Sequence, residues 1–281
     1  MSAMRLLVTG AAGMLGRDVV AAAGDAGHEV AALARADLDI TDADAVSSAV
    51  RDARPDAVIN CAAWTDVDGA EADEASATAV NGAGAANLAA AAGDALVVHV
   101  STDYVFDGAA SEPYPEDAAT GPGSAYGRSK LAGEQAVARA AGRAAIVRSS
   151  WLFGPHGRNF VDTMRRLGAE RDELAVVDDQ IGCPTYTGHL APALVAIAEQ
   201  GTTGVLHVAG SGRCSWFDLA VATFEETGLR CDVRRQSTAD AGRPAPRPAF
   251  SALASTRADA PVLPPWREGL RAHLARLEVT A

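Results

Sequence analysis

The sequence predicts an α/β chain, a doubly wound parallel sheet with a smaller C-terminal lobe, on three observations. Short apolar runs alternate with Ala-rich helical stretches through the first half of the chain. Those runs are continuous rather than alternating, as strands are when helices cover both faces of a sheet. Past Trp151 the rhythm breaks: turn residues crowd together, aromatics enter (Phe153, Phe160, Trp216, Phe217), and prolines gather from Pro244 to Pro248.

In order, Arg5–Thr9 reads as the first strand, followed by a helix from about Gly13 to Gly24. Glu29–Ala34, Asp56–Asn60, Ala95–Ser101 and Ala144–Ser149 read as strands two to five, with helices over Ala77–Ala92 and Ser124–Ala141 among the connections. At 281 residues the chain is long enough for one large domain or a domain plus a lobe. Its 48% apolar and 21% charged residues are the balance of a soluble globular protein.

A formal net charge of -12 argues against a nucleic-acid backbone or an anionic membrane as partner. A local cluster of backbone N–H groups can still bind a small anion. Cys61, Cys183, Cys214 and Cys231 form no C-x-x-C pair, so buried or free thiols are expected rather than a zinc site or a disulfide framework. The N-terminal residues run directly into a strand pattern without the features of a signal peptide. No apolar run approaches the roughly 18 residues of a membrane span. A cytoplasmic location is the expectation.

Gly10, Gly13 and Gly16 fall directly after the first strand and before the first helix, in L-L-V-T-G-A-A-G-M-L-G. This spacing suits a tight turn, close approach of backbone to a pyrophosphate, and close helix–strand packing. The helix start, with Ala12, Met14 and Leu15, adds free N–H groups and a positive dipole end. A Gly-rich βα turn that binds nothing is the competing reading. Two further features favour a dinucleotide: Asp39-Ile40 after strand two, where an adenosine contact fits, and the small Cys61-Ala62-Ala63 after strand three. The first part, residues 1–150, is thus expected to be a Rossmann-like NAD(P)-binding domain. Residues 151–281 are expected to be mostly a substrate-binding lobe, with some elements returning to the main sheet. Strand two ends at Ala34-Arg35 with no acid before Asp37, so Arg35 is expected to favour NADPH, with NADH the alternative.

Tyr126 and Lys130 stand four apart in a predicted helix, which puts phenol and ammonium on one face. An ammonium beside a phenol lowers a pKa that otherwise lies near ~10, matching it to proton transfer. Y-x-x-x-K also occurs by chance on exposed helix faces. Here Thr102, in Ser101-Thr102-Asp103 at the carboxyl end of strand four, is placed to hold a substrate carbonyl. Lys130 is expected to reach the nicotinamide ribose as well.

With these motifs the sequence resembles the extended short-chain dehydrogenase/reductases and, more narrowly, the dTDP-4-dehydrorhamnose reductase family. The resemblance spans nearly the whole chain: T-G-A-A-G-M-L-G, L-D-I-T-D, P-D-A-V-I-N-C-A-A-W-T-D-V-D, S-T-D-Y-V-F-D-G, Y-G-R-S-K-L-A-G-E, R-S-S-W-L-F-G, N-F-V-D-T-M, D-D-Q-I-G-C-P-T and R-P-A-F-S-A-L. The glycine turn and Y-x-x-x-K belong to the superfamily at large, while R-S-S-W-L-F-G, D-Q-x-G-x-P-T and R-P-x-x-S are more specific. The resemblance implies reduction of the C4 keto group of dTDP-4-dehydro-L-rhamnose, with hydride from the nicotinamide and a proton from Tyr126. It places Thr102 and Asp103 near the sugar and Trp151 against its ring, although Trp151 reads equally as a core tryptophan. Asn159, Gln180 and Arg247 are carried over as contacts at the nucleotide diphosphate end, Arg247 because a guanidinium forks onto phosphate. Family members are known to bind Mg²⁺ at a dimer interface, but no residue here marks such a site, and monomer and homodimer both stay open.

His99, inside an apolar strand, reads as a satisfied core histidine, and His156, His189 and His207 show no metal-ligand spacing. Two other functions compete: a 4-ketoreductase for another dTDP-deoxysugar, and a non-catalytic nucleotide-binding relative with a regulatory role. The second would be marked by loss of the tyrosine or lysine, and both are present.

Overall fold

The computed structural model describes residues 2–280, so Met1 and Ala281, the outer ends of the two expected parts, lie outside the described residues. In chain order the first half gives β1 (Arg5–Thr9), α1 (Met14–Asp25), β2 (Glu29–Leu33), α2 (Ala43–Ala53), β3 (Ala57–Asn60), α3 (Val67–Ala72) and α4 (Glu74–Thr78). A π-helical turn (Ala79–Gly84) leads into α5 (Ala85–Ala91), then β4 (Leu96–Thr102), α6 (Ala125–Ala140) and β5 (Arg143–Ser149). The second half adds β6 (Leu152–Phe153), α7 (Phe160–Glu170), β7 (Glu173–Val177), β8 (Ile181–Gly182), β9 (Thr185–Tyr186) and α8 (Thr187–Gln200). It closes with β10 (Gly204–His207), β11 (Cys214–Ser215), α9 (Trp216–Thr227), β12 (Asp232–Gln236), α10 (Thr238–Ala241) and α11 (Trp266–Thr280).

Six strands form one parallel sheet in the order β10-β5-β4-β3-β1-β2. The chain moves outward from β1 to β2 and then crosses back to β3, so the winding reverses between β1 and β3. In such a sheet ligands bind outside the carboxyl ends of the strands at that reversal. Alternate residues of each strand enter opposite cores, which explains the unbroken apolar runs. Leu6, Val8 and Ile59 meet Val19 of α1 and Leu190, Leu194 and Ile197 of α8 on one face. Leu7, Val58 and Val97 meet Val46 and Val50 of α2, Leu88 of α5 and Val137 of α6 on the other.

Of the second half, α8 covers the main sheet and β10 extends it beside β5. The lobe has cores of its own, around Phe153, Tyr186, Leu219 and Leu270 and around Met164, Leu174 and Phe224. Its strands join only in pairs: β11 with β8, β12 with β7, β6 with β9. No helix among the described residues is long and apolar enough to cross a membrane.

The single helix expected over Ala77–Ala92 is three pieces, because the backbone loosens into the π-helical turn around Asn81. The Asn81 amide there accepts from the Trp64 N–H at 2.8 Å and donates to the Ser129 hydroxyl at 2.9 Å, tying the turn to the next loop and to α6. Helix α6 begins where expected, because the Ser124 hydroxyl accepts the Gly127 N–H at 3.1 Å.

Candidate active site

The glycine turn sits at the winding reversal, and each glycine there has its own reason. Gly10 holds φ +68°, and a Cβ on it would overlap the backbone of Cys61 and Ala62. A Cβ on Gly16 would strike the Gly10 carbonyl oxygen. Gly13 is the N-cap of α1 and brings no side-chain acceptor, so the first-turn amides are left to serve an anion. Asn60 fastens the strand ends around the turn: its Oδ1 accepts from the Thr9 hydroxyl at 2.8 Å and the Ala62 N–H at 3.0 Å. Its Nδ2 faces His99 Nδ1 at 3.0 Å, while His99 Nε2 is buried with no partner among the described residues. The core histidine expected at this position is therefore satisfied on one side only.

A cleft of about 1140 Å³ runs over the carboxyl ends of the sheet. Gly10, Ala12, Gly13, Met14, Leu15, Arg35, Asp39, Ile40 and Cys61–Ala63 line one end. Thr102, Asp103, Tyr126, Lys130, Trp151 and Arg247 line the other. Two expected site residues do not line it. Asn159 is buried as the N-cap of α7, accepting from the Asp162 N–H at 2.9 Å and donating to the Gly154 carbonyl at 2.9 Å. Gln180 is buried between Trp216, whose indole N–H it accepts at 3.0 Å, and Thr238, to whose hydroxyl it donates at 2.9 Å. In both cases the polar side chain is consumed by the protein itself. Arg247 lies on the cleft wall, but its guanidinium forks onto the Asp68 carboxylate at 3.0 and 3.1 Å rather than standing free.

At the reaction end, α6 carries both Tyr126 and Lys130. Lys130 is buried and donates to the Val100 carbonyl at 2.8 Å. Burial lowers its ammonium to about 8, against the upward pull of Glu134 and Cys61. The Tyr126 phenol moves opposite to the sequence expectation. Burial pushes it up to about 12, a hydrogen bond with Thr102 pulls it back, and the Asp103 charge adds to the rise. Lys130, whose ammonium is turned onto the Val100 carbonyl of β4, is not among the groups that shift it. Asp103 is itself pushed up to about 7 by burial, against hydrogen bonds from the Ser251 hydroxyl at 2.5 Å and the Thr102 hydroxyl at 3.0 Å.

Residues distant in sequence complete the wall. Ser251 and Arg247, both in R-P-A-F-S-A-L, reach back to Asp103 and Asp68 and lock that segment over the cleft. Trp151 is a non-glycine residue at φ +48°, and its indole lies flat on Trp216 with centroids 3.5 Å apart and planes 4° apart. Gly182 faces the same indole, and a Cβ there would overlap it. Ser149 Oγ, at the end of β5, is buried without a partner among the described residues, and Ser149 lines the cleft. Sequence reasoning missed Trp216, Ser149, Ser251, His156 and Arg158. Ser149 and Ser251 lie inside R-S-S-W-L-F-G and R-P-A-F-S-A-L, and Ser215-x-x-Asp218, a capping box, marks the start of α9 without showing which way the neighbouring indole faces. Among the described residues no group of three or more His, Cys, Asp or Glu gathers as a metal site.

The model of the RmlD substrate binding domain family matches residues 4–279. The chain belongs to that family. Along 97% of its length it is 48% identical to a dTDP-4-dehydrorhamnose reductase of Mycolicibacterium smegmatis, covering 86% of that protein. It is 49% identical to a dTDP-4-keto-6-deoxy-D-glucose reductase of Streptomyces niveus, over 87% of this chain and 82% of that one. A crystal structure of the dTDP-4-dehydrorhamnose reductase of Bacillus anthracis in complex with NADP superposes with a TM-score of 0.95 at 38% identity, over 98% of this chain and 100% of that one. The RmlD family match runs through both the sheet and the lobe, so the whole cleft lies inside it.

Proposed function

We propose that this RmlD-family protein reduces the C4 keto group of dTDP-4-dehydro-L-rhamnose to the alcohol of dTDP-L-rhamnose, using NADPH, in dTDP-rhamnose biosynthesis. One observation carries the reading: a single cleft joins the glycine turn to Thr102, Tyr126 and Lys130. Residues 1–150 chiefly serve the dinucleotide and 151–281 chiefly the sugar.

The residues fit a nicotinamide dinucleotide. The cradle at Gly10 and Gly16 is one that a Cβ would fill, and α1 opens on an uncapped Gly13. Gly10–Leu15, Arg35, Asp39, Ile40 and Cys61–Ala63 would hold it, with Lys130 and Tyr126 at its ribose end. Bound there, the dihydronicotinamide supplies the hydride. Thr102 holds the keto oxygen by its hydroxyl, which turns from Asp103 to the substrate, and Tyr126 donates its phenol proton to that oxygen as the ketone becomes an alcohol. A phenol raised to about 12 is fully protonated at neutral pH, which is the form a donor needs. Lys130 stays on the Val100 carbonyl at the ribose end, and the Thr102 hydroxyl then stabilises the phenolate until solvent reprotonates it. Trp151 and Asp103 bound the sugar, and Arg247 shapes the nucleotide side through Asp68. Arg35 is the cation available for a 2′-phosphate, so NADPH is preferred to NADH.

A second reading, a 4-ketoreductase for a different dTDP-6-deoxysugar, is favoured by the Streptomyces niveus relative. NADPH oxidation measured over a panel of dTDP-4-keto sugars separates the two. The proposal expects the highest kcat/KM with dTDP-4-dehydro-L-rhamnose, and a tenfold preference for another sugar supports the second reading. Turnover of none of them points to a non-catalytic nucleotide-binding role. The same assay with and without a chelator reports whether Mg²⁺ contributes.

A further inference from the structure

Trp151 adopts a backbone conformation that a side chain with a Cβ disfavours, so something must hold it there. Its backbone is fixed by the Thr185 N–H, which donates to the Trp151 carbonyl at 3.2 Å, and by the neighbouring Ser150 hydroxyl, which donates to the Cys183 carbonyl at 2.6 Å. Its indole is clamped on two sides. Gly182 presses in from β8, where only a missing Cβ leaves room, and Trp216 stacks along its face at 3.5 Å.

Trp216 is in turn held by a polar chain outside the cleft. Its indole N–H donates to Gln180 at 3.0 Å, the Gln180 amide donates to the Thr238 hydroxyl at 2.9 Å, and that hydroxyl donates to Asp179 at 2.6 Å. Phe160 supports Trp216 with centroids 4.6 Å apart. Both indoles line the cleft that contains Thr102 and Tyr126. Gln180 is buried, while Trp216 is half-buried with part of its ring on the cleft.

We infer that Trp216, aimed by Gln180, is a positioning residue that holds the Trp151 indole as a fixed wall against the keto sugar. The wall works because two stacked indoles form a stiff apolar surface, and the parts of it exposed to the cleft suit the C–H side of a deoxysugar ring. Neither Trp216 nor Gln180 touches the reacting atoms. They act through Trp151 and set how the keto group lies against Thr102 and Tyr126. The inference rests on the reading under Proposed function and adds to it the elements that orient the sugar.

The test is Gln180→Met, which keeps the side-chain length and removes the acceptor, with Trp216→Phe as a second variant that keeps a ring and removes the N–H. Two closely stacked indoles couple their electronic transitions, so the native protein is expected to show a paired positive and negative band in circular dichroism. That signature should weaken in Gln180→Met and vanish in Trp216→Phe. The kcat/KM for dTDP-4-dehydro-L-rhamnose should fall about tenfold in each, the usual scale of a buried hydrogen bond left unmade, while the Kd for NADPH stays within about twofold. A weakened signature with unchanged kcat/KM overturns the inference, as does a parallel loss of NADPH affinity. A native protein that turns over no dTDP-4-keto sugar overturns the underlying reading instead, and the circular dichroism still reports whether Gln180 fixes the stack.

Discussion

The two ends of the cleft are built by different means. At the dinucleotide end the determinants sit in two short segments: one turn carries Gly10, Gly13 and Gly16, and the end of β3 with the residues just after it supplies Asn60–Ala63. Their constraints are a positive φ, an atom-to-atom approach between neighbouring strand ends, and an uncapped helix start. At the sugar end hardly any residue is fixed by its neighbours in sequence. Trp151 depends on Gly182 and Trp216, Trp216 on Gln180, Asp103 on Ser251, and Arg247 on Asp68. The first end rests on a short motif's geometry, and the second is an assembly that exists only once the lobe has docked.

Four substitutions sharpen that contrast, in descending size of effect. Gly10→Ala must accept a left-handed backbone and an overlap with Cys61–Ala62 together. It should destabilise the fold by about 3 kcal/mol and weaken NADPH binding by about 100-fold, read by thermal unfolding and cofactor titration. Native affinity in that variant would break the account of the turn.

Lys130→Met should cost turnover yet stabilise the fold. Burial takes the lysine from 10.5 down to about 8, so between those values the unfolded chain keeps a proton that the folded chain has lost. Stability therefore rises with pH across that window, and below about 8 the full cost of the buried charge is present. The methionine variant should gain about 2 kcal/mol at neutral pH and lose that pH dependence, measured by urea unfolding across the window.

Arg247→Ala leaves Asp68 to Arg243 and the Ala245 N–H alone, and should raise the KM for the sugar nucleotide about tenfold while leaving the Kd for NADPH unchanged. Equal damage to both ligands would mean that the two ends are one cooperative unit. The smallest effect is expected from Asp103→Asn. Removing a charge that raises the phenol should let Tyr126 titrate at lower pH, followed by tyrosinate absorbance, with NADPH binding intact.

The same contrast explains what the sequence disclosed. Strands built on unbroken apolar runs, such as β3 from Ala57 to Ile59, are legible because both faces are buried, and the observed sheet has helices on both faces. The glycine turn and the four-residue spacing of Tyr126 and Lys130 are legible because helix and turn geometry are local. The direction of the Tyr126 shift was not, since it depends on how deeply α6 packs against β4 and on Lys130 turning to Val100. Asn159 and Gln180 looked like ligand contacts because a motif records that an amide is needed without saying what it faces. One caps a helix and the other holds an indole. The π-helical turn was invisible for the same reason: Asn81 bends the helix toward Trp64 and Ser129, partners far along the chain.

The central claim is that Tyr126 gives its proton to the keto oxygen at the end of a cleft that also seats NADPH. It is tested most directly by measuring kcat with dTDP-4-dehydro-L-rhamnose, together with the Kd for NADPH, in the native protein and in Tyr126→Phe. The account predicts a kcat lower by at least about 100-fold with NADPH binding within about twofold of native. Undiminished turnover in Tyr126→Phe would contradict it.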